Sequence, residues 1–241
     1  MFNSKYSSFL SMLLVVLIVG IIGVLGYFAY DMYNQHDKNT KAQAAIEEFD
    51  KATQSVRREF ANSTNNEVTN EPAGEVTNPL ENLNTTSAQA NTAQENNTQT
   101  KVEKTYQEGY EVLGTINIPK TKCNYTILNT VTKRSIEIAV AVLYPTNLTS
   151  LNLPGNTVIV GHNYRNDLFF SRNNELELGD EVIIKSPTET VTYEIYNIYE
   201  TSSDDADYMQ RDTNGGREIS LSTCTDASTD RRLIIWAKEK V

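Results

Sequence analysis

No aromatic side chain occurs between Ala61 and Lys104, and this gap limits where a folded core can form. The stretch is dominated by Asn, Thr, Glu, Ala and Gln. It cannot bury enough apolar surface to offset its ordering entropy, so a disordered stalk is expected there. Flexible-chain scaling gives such a stalk a reach of roughly 35 Å. The chain therefore divides into an N-terminal part and a folded domain that opens at Tyr106. Running to Val241, that domain is long enough to build its own core.

Phe9 to Tyr30 is an almost unbroken apolar run, about as long as a membrane helix requires. Lys5 precedes it and Asp31 follows, a weak bias towards a cytoplasmic N-terminus and an exported remainder. No small-x-small cleavage site follows directly, so an uncleaved signal-anchor is expected rather than a signal peptide. Gly20, Gly23 and Gly26 fall on roughly one helix face, where they could let helices approach or simply be tolerated. From Asp31 to Phe60 a Lys/Gln/Ala/Glu-rich segment carries Ala45, Ile46, Phe49, Val56 and Phe60. It suits a juxtamembrane helix that could self-associate. The expected layout is a cytoplasmic N-terminus over 1–8, a transmembrane signal-anchor over 9–30, a juxtamembrane helix and stalk over 31–105, and a folded domain over 106–241.

Beyond Tyr106 the chain is aromatic, β-branched and punctuated by turn signals. Val112 to Pro119, Asn124 to Val131, Thr157 to Val160, Val182 to Lys185 and Thr190 to Tyr199 read as strands. Ser135 to Tyr144 reads as a helical turn leading into a strand, and Thr201 to Arg217 as a loop. Short strands at this spacing predict a mostly-β barrel or sandwich. A formal net charge of -10 argues against nucleic acid, whose phosphates it would repel. Cys123, Cys224, His36 and His162 are scattered along the chain, without the tight spacing that a four-ligand Cys/His structural zinc site needs. No metal or cofactor is expected; the acidic run Asp204, Asp205, Asp207 reads as a solvated loop rather than a calcium site.

The chemistry gathers at strand ends. Ile219 to Thr223 reads as a strand that delivers Cys224, and Leu233 to Trp236 as its antiparallel partner, with Arg231 and Arg232 at its start. A thiol beside a fixed cation is a nucleophile candidate, because positive charge favours the thiolate; a buried cysteine with a solvated arginine pair is the alternative. His162 follows Thr157–Val160 and Gly161 at the end of another strand. It is the single histidine of the folded domain, since His36 lies in the juxtamembrane segment. Cysteine-based acyl transfer needs a nucleophile, a proton carrier and an oxyanion donor, and Cys224, His162 and Arg232 can supply them.

These residues resemble the sortases, the cysteine transpeptidases of Gram-positive bacterial surfaces. Ser220-Leu221-Ser222-Thr223-Cys224 is similar to their cysteine signature, Gly161-His162-Asn163 to their histidine motif, and Arg232-Leu233-Ile234-Ile235 to their arginine strand. The resemblance covers about Gly109 to Lys238. It implies a closed eight-stranded β-barrel with short helices. It further implies that Cys224 attacks an LPXTG-like sorting signal, that His162 is the general acid and base, and that Arg232 binds the oxyanion or the substrate backbone. The thioester would then pass to an amine, from a cell-wall cross-bridge or a pilin lysine. Partners implied are surface proteins bearing a C-terminal sorting signal, that amine acceptor and the cytoplasmic membrane.

Neighbouring residues divide by role. Strand alternation lets only one of the two arginines face the site, and register within the family favours Arg232. Thr223 is a candidate substrate contact or a packing threonine. Asp226 either orients His162 or caps a turn. Cys123 has no motif around it and reads as a semi-buried bystander. The cysteine motif resembles class B sortases, whereas Thr201 to Arg217 is too short for the helical insertion those carry. Two other functions fit parts of the pattern: a thiol hydrolase on the same fold, and a non-enzymatic surface-binding module.

Overall fold

The computed structural model describes residues 4–66 and 103–241. One helix, α1, runs from Ser4 to Asn66. The β-rich part follows as β1 (Thr105–Gln107), β2 (Tyr110–Ile118), β3 (Cys123–Leu128), helix α2 (Lys133–Ile138), β4 (Val140–Tyr144) and β5 (Gly155–Val160). After these come β6 (Glu181–Lys185), β7 (Thr190–Ser202), β8 (Arg217–Cys224) and β9 (Arg231–Glu239). The strands pair in the order β2-β3-β4-β5-β8-β9-β7-β6, and β6 pairs again with β2. Eight strands thus close into a barrel, as the resemblance implied. Closure removes the exposed edges that an open sheet would present. The short β1 adds to β2 outside that circuit.

Alternation sorts the barrel wall into two faces. Ile116, Ile118, Ile127, Ile159, Ile184, Leu221 and Ile235 point inwards and are buried in one core cluster. Each contributes about 1.5–3 kcal/mol through removal from water. Where β2 crosses to meet β6, Gly114 faces the Lys185 carbonyl and Leu151 so closely that any side chain there would collide. Outside the wall, Val158 and Ile234 form a smaller cluster under Tyr208. The ambiguous stretch from Ser135 to Tyr144 resolves into the end of α2 followed by β4. Thr132 caps α2, its hydroxyl accepting from the Ser135 amide.

The N-terminal expectations meet a continuous helix. From Phe9 to Tyr30 the side chains of α1 are exposed. The juxtamembrane helix expected up to Phe60 is present, but its apolar face lies against the barrel. Ala42, Phe49, Thr53 and Val56 are buried at helical spacing. Phe49 packs with Val112, Leu128, Ala139 and Ala141, on the outer side of β2, β3 and β4. Polar contacts flank this seam: the Tyr125 hydroxyl donates to Asn39, and Lys185 pairs with Asp50 at 2.6 Å. Of the stalk expected from Ala61, residues 61–66 continue α1, while 67–102 lie outside the described residues. Between Ala42 and Val56 one face of α1 is held by the barrel, a long-range contact that local composition does not encode.

Candidate active site

Two adjacent strands deliver the thiol and the imidazole. Strands β5 and β8 run parallel with Val160 opposite Ser222. Two residues further on, the chains reach His162 and Cys224 at the same end of the barrel. The junction is tied by three hydrogen bonds. The Gly161 amide donates to the Ser222 carbonyl at 3.3 Å, and the Thr223 hydroxyl donates to the Gly161 carbonyl at 2.8 Å. Asn163 Nδ2 donates to the Cys224 carbonyl at 3.0 Å. A side chain at Gly161 would press on Phe170 and Val140, so glycine is required for the His162 loop to fold this closely.

The guanidinium comes from the other side. Strand β9 pairs antiparallel with β8, and Cys224 and Arg232 are direct register partners. Alternation puts Ser220, Ser222 and Cys224 on the outer face with Ile234 and Arg232, opposite the buried Leu221 and Ile235. Arg232 Nη1 donates to the carbonyls of Thr229 and Arg231, at 2.6 and 3.2 Å. Its Nε and Nη2 have no protein acceptor among the described residues, which leaves donors for a substrate oxygen. Arg231 points elsewhere and pairs with Glu200 at 3.1 Å.

His162 is half-buried, and its ring stacks on Tyr164 at 4.8 Å between centroids with a 31° tilt. Burial lowers the imidazole below its ordinary range, Lys38 of α1 adds to that, and Glu137 opposes it. Lys38 Nζ lies 4.9 Å from the centre of the Tyr164 ring. Asp226 does not orient the imidazole. Its carboxylate accepts from Asn163 and Asn174, at 2.7 and 2.8 Å, and so braces the β8–β9 turn against the His162 loop.

Other candidates fall where their surroundings dictate. Thr223 is buried and its hydroxyl is spent on Gly161. Cys123 lies in the main core beside Ile118, and burial pushes its thiol up, so it is chemically muted. Within the acidic run, Asp205 accepts from Thr201 and from the Asp207 amide, which organises its own loop. That loop carries Tyr208, whose hydroxyl lies 3.3 Å from Ser222 Oγ on the outer face, two residues before Cys224. Arg211 pins the loop: it bonds Asn156 and Tyr196, pairs with Glu218 and covers the Trp236 ring at 4.2 Å.

Several of these residues carry no sequence signal of their own. Asn163 was visible only as the neighbour of His162. Tyr164 and Tyr208 sit in loops whose course depends on the barrel, and Lys38 is distant in sequence.

Residues 116–240 match the sortase domain family. Among solved structures, a sortase D5 transpeptidase from Clostridium perfringens is 21% identical with a TM-score of 0.55, the match covering 84% of this chain and 99% of that one. Sortase A from Corynebacterium diphtheriae, in a lid mutant, is 23% identical with a TM-score of 0.50, covering 59% and 74%. Sortase C-1 from Actinomyces oris is likewise 23% identical with a TM-score of 0.50, covering 54% and 72%. No curated protein matches the chain. At these identities the structures establish the shared barrel, and the family match spans more than half of the sequence. The chain belongs to the sortase family of cysteine transpeptidases.

Proposed function

We propose that this sortase is membrane-anchored and cleaves an LPXTG-like C-terminal sorting signal, with Cys224 as nucleophile, His162 as acid and base, and Arg232 as oxyanion donor. The observation that carries this reading is the register of the site. Arg232 stands opposite Cys224 across β8 and β9, while His162 leaves the neighbouring β5 at the same end. The Cys224 thiolate attacks the carbonyl carbon of the scissile peptide, and Arg232 stabilises the oxyanion. The C–N bond breaks as His162 gives its proton to the leaving amine, and a thioester remains. An acceptor amine then attacks the thioester and His162 takes up its proton. The C–S bond breaks, and a new amide is released. Thr223 acts on substrate indirectly, by holding Gly161 and hence the His162 loop against β8.

In this reading residues 9–30 span the membrane, residues 1–8 are cytoplasmic, and the barrel over 106–241 lies outside the cell. The exposed apolar side chains of α1 and its length of about 33 Å over that span support the anchor. The acceptor is an amine of a cell-wall precursor or a pilin lysine.

Intact-mass spectrometry of the full chain in detergent, with sorting-signal peptides and a glycine-based amine, tests the assignment. The expected result is a thioester-sized adduct on Cys224 that is absent in Cys224→Ala and resolves to an amide product. Adduct followed only by hydrolysis, across a panel of amines, would favour a thiol hydrolase. No adduct with any peptide on a folded, reduced protein would favour a non-enzymatic surface module.

A further inference from the structure

Helix α1 runs unbroken from its exposed apolar stretch into its contact with the barrel. Its barrel contacts follow in a definite order. Lys38 lies over the rings of Tyr164 and Phe169, at 4.9 and 5.8 Å, in the loop that carries His162. Asn39 then accepts from Tyr125, and Gln43 from Asn124. Phe49 and Asp50 follow, the latter on Lys185. The catalytic end of the barrel therefore faces the apolar end of the helix. Lys38 is only eight residues beyond Tyr30, about 12 Å along the axis.

We propose that this part of α1 is a rigid strut that fixes the height of the Cys224–His162 site above the membrane, and so restricts cleavage to polypeptides whose scissile bond lies close to their own membrane span. The proposal rests on the sortase mechanism and the anchor set out above. An extended substrate rises about 3.3 Å per residue, so roughly four residues separate its span from a site at this height. A flexible stalk of roughly 35 Å would impose no such limit. Here the strut is held at its upper end by the buried Ala42, Phe49, Thr53 and Val56. Its lower end is held by the bilayer. The strut thus acts as a selector of substrate geometry rather than of side chains.

The test uses the full chain in lipid vesicles with two substrates. One is a soluble sorting-signal peptide. The other is a membrane-tethered reporter in which a short or a long spacer separates that signal from its own span. A helical insert of about seven residues between Tyr33 and Asn34 adds two turns, roughly 10 Å, and restores the helix face. The expected result is unchanged peptide turnover, with short-spacer cleavage down about tenfold or more and long-spacer cleavage retained, because effective concentration collapses when the reach is wrong. Equal cleavage of the short-spacer reporter by parent and insert overturns the strut. Should the helical insert lose peptide turnover as well, a flexible Gly/Ser insert at the same place decides. It must broaden the spacer preference, and an unchanged preference overturns the proposal. A parent chain that turns over neither substrate overturns the underlying mechanism instead, which separates the two failures.

Discussion

Cys224 and Arg232 face each other directly across β8 and β9, as the last register pair before the turn. The turn that joins them is closed by its own bonds: the Thr225 amide donates to the Arg231 carbonyl, and the Ser228 amide to the Thr225 hydroxyl. Backbone pairing therefore fixes Arg232 beside Cys224 on the same face of the sheet, independently of the conformation of a long loop. Such preorganisation suits a donor that must meet charge only as it develops.

Arg232 and Arg231 should separate sharply on substitution. With Arg232 in the proposed role of oxyanion donor, Arg232→Ala is expected to lower kcat by about 10²–10³. Arg231→Ala breaks an exposed pair with Glu200, for which 0–1 kcal/mol of stability is the typical scale. Its activity should stay within about twofold of the parent on that basis. Steady-state kinetics with a sorting-signal peptide decide the matter. A large loss in Arg231→Ala with Arg232→Ala unaffected would reverse the assignment.

The two cysteines should differ as strongly under alkylation. Cys224 is partly accessible, whereas Cys123 is 3% exposed within the barrel core. Brief treatment of the native chain with iodoacetamide should label Cys224 alone, and denaturation should expose Cys123. Peptide mapping by mass spectrometry reads this directly. Preferential labelling of Cys123 in folded protein would contradict the core packing.

The barrel was legible because its strands carry their own period and their own turn signals. Ile219 to Thr223 and Leu233 to Trp236 could be paired from apolar pattern and turn spacing alone, and with them Cys224 and Arg232. The resemblance added the closure and the order of the strands. Helix α1 beyond Asp31 was legible as a helix but not as part of the barrel, because Phe49 meets Val112 and Leu128 through tertiary packing. Thr201 and Ser202 read as loop, yet they extend β7 by pairing with Arg232 and Arg231. For Tyr164 nothing in the local sequence distinguishes a ring that stacks on His162 from any other loop tyrosine.

Tyr164 should behave as a positioning residue for His162. Its ring lies 4.8 Å from the imidazole and 4.9 Å from Lys38 Nζ, and it also meets Phe169 at 5.8 Å. Tyr164→Ala is expected to lower kcat about ten- to a hundredfold with little change in KM, as small displacements of a catalytic group do. Tyr164→Phe retains the ring face and the cation above it, and should restore most of the rate. If Tyr164→Phe is as impaired as Tyr164→Ala, the hydroxyl rather than the stack is what matters.

Phe49 should be the main apolar tie between α1 and the barrel. It is 1% exposed and packs on Val112, Leu128, Ala139 and Ala141. Phe49→Ala is expected to cost about 3–5 kcal/mol of the helix–barrel contact. Hydrogen exchange on the full chain in detergent should then show loss of protection in residues 38–56 ahead of the barrel strands. Protection equal to that of the parent would mean that the polar contacts alone hold the helix.

The pH profile should respond to two charges in opposite senses. Burial is the main cause of the lowered His162 imidazole, and Lys38 adds to it while Glu137 works against it. Lys38→Gln removes a repelling cation, so the charged imidazole becomes easier to form and its pKa rises. The His162 limb of the kcat/KM profile, which reports the free enzyme, should move to higher pH. Glu137→Gln removes an attracting anion, and the same limb should move to lower pH. The double substitution should fall between the two. Because both charges act through partly solvated space, raising the salt concentration should shrink each shift while leaving the effect of burial in place. Limbs that shift in the same direction in both variants, or shifts indifferent to salt, would remove Lys38 and Glu137 from the electrostatics of His162.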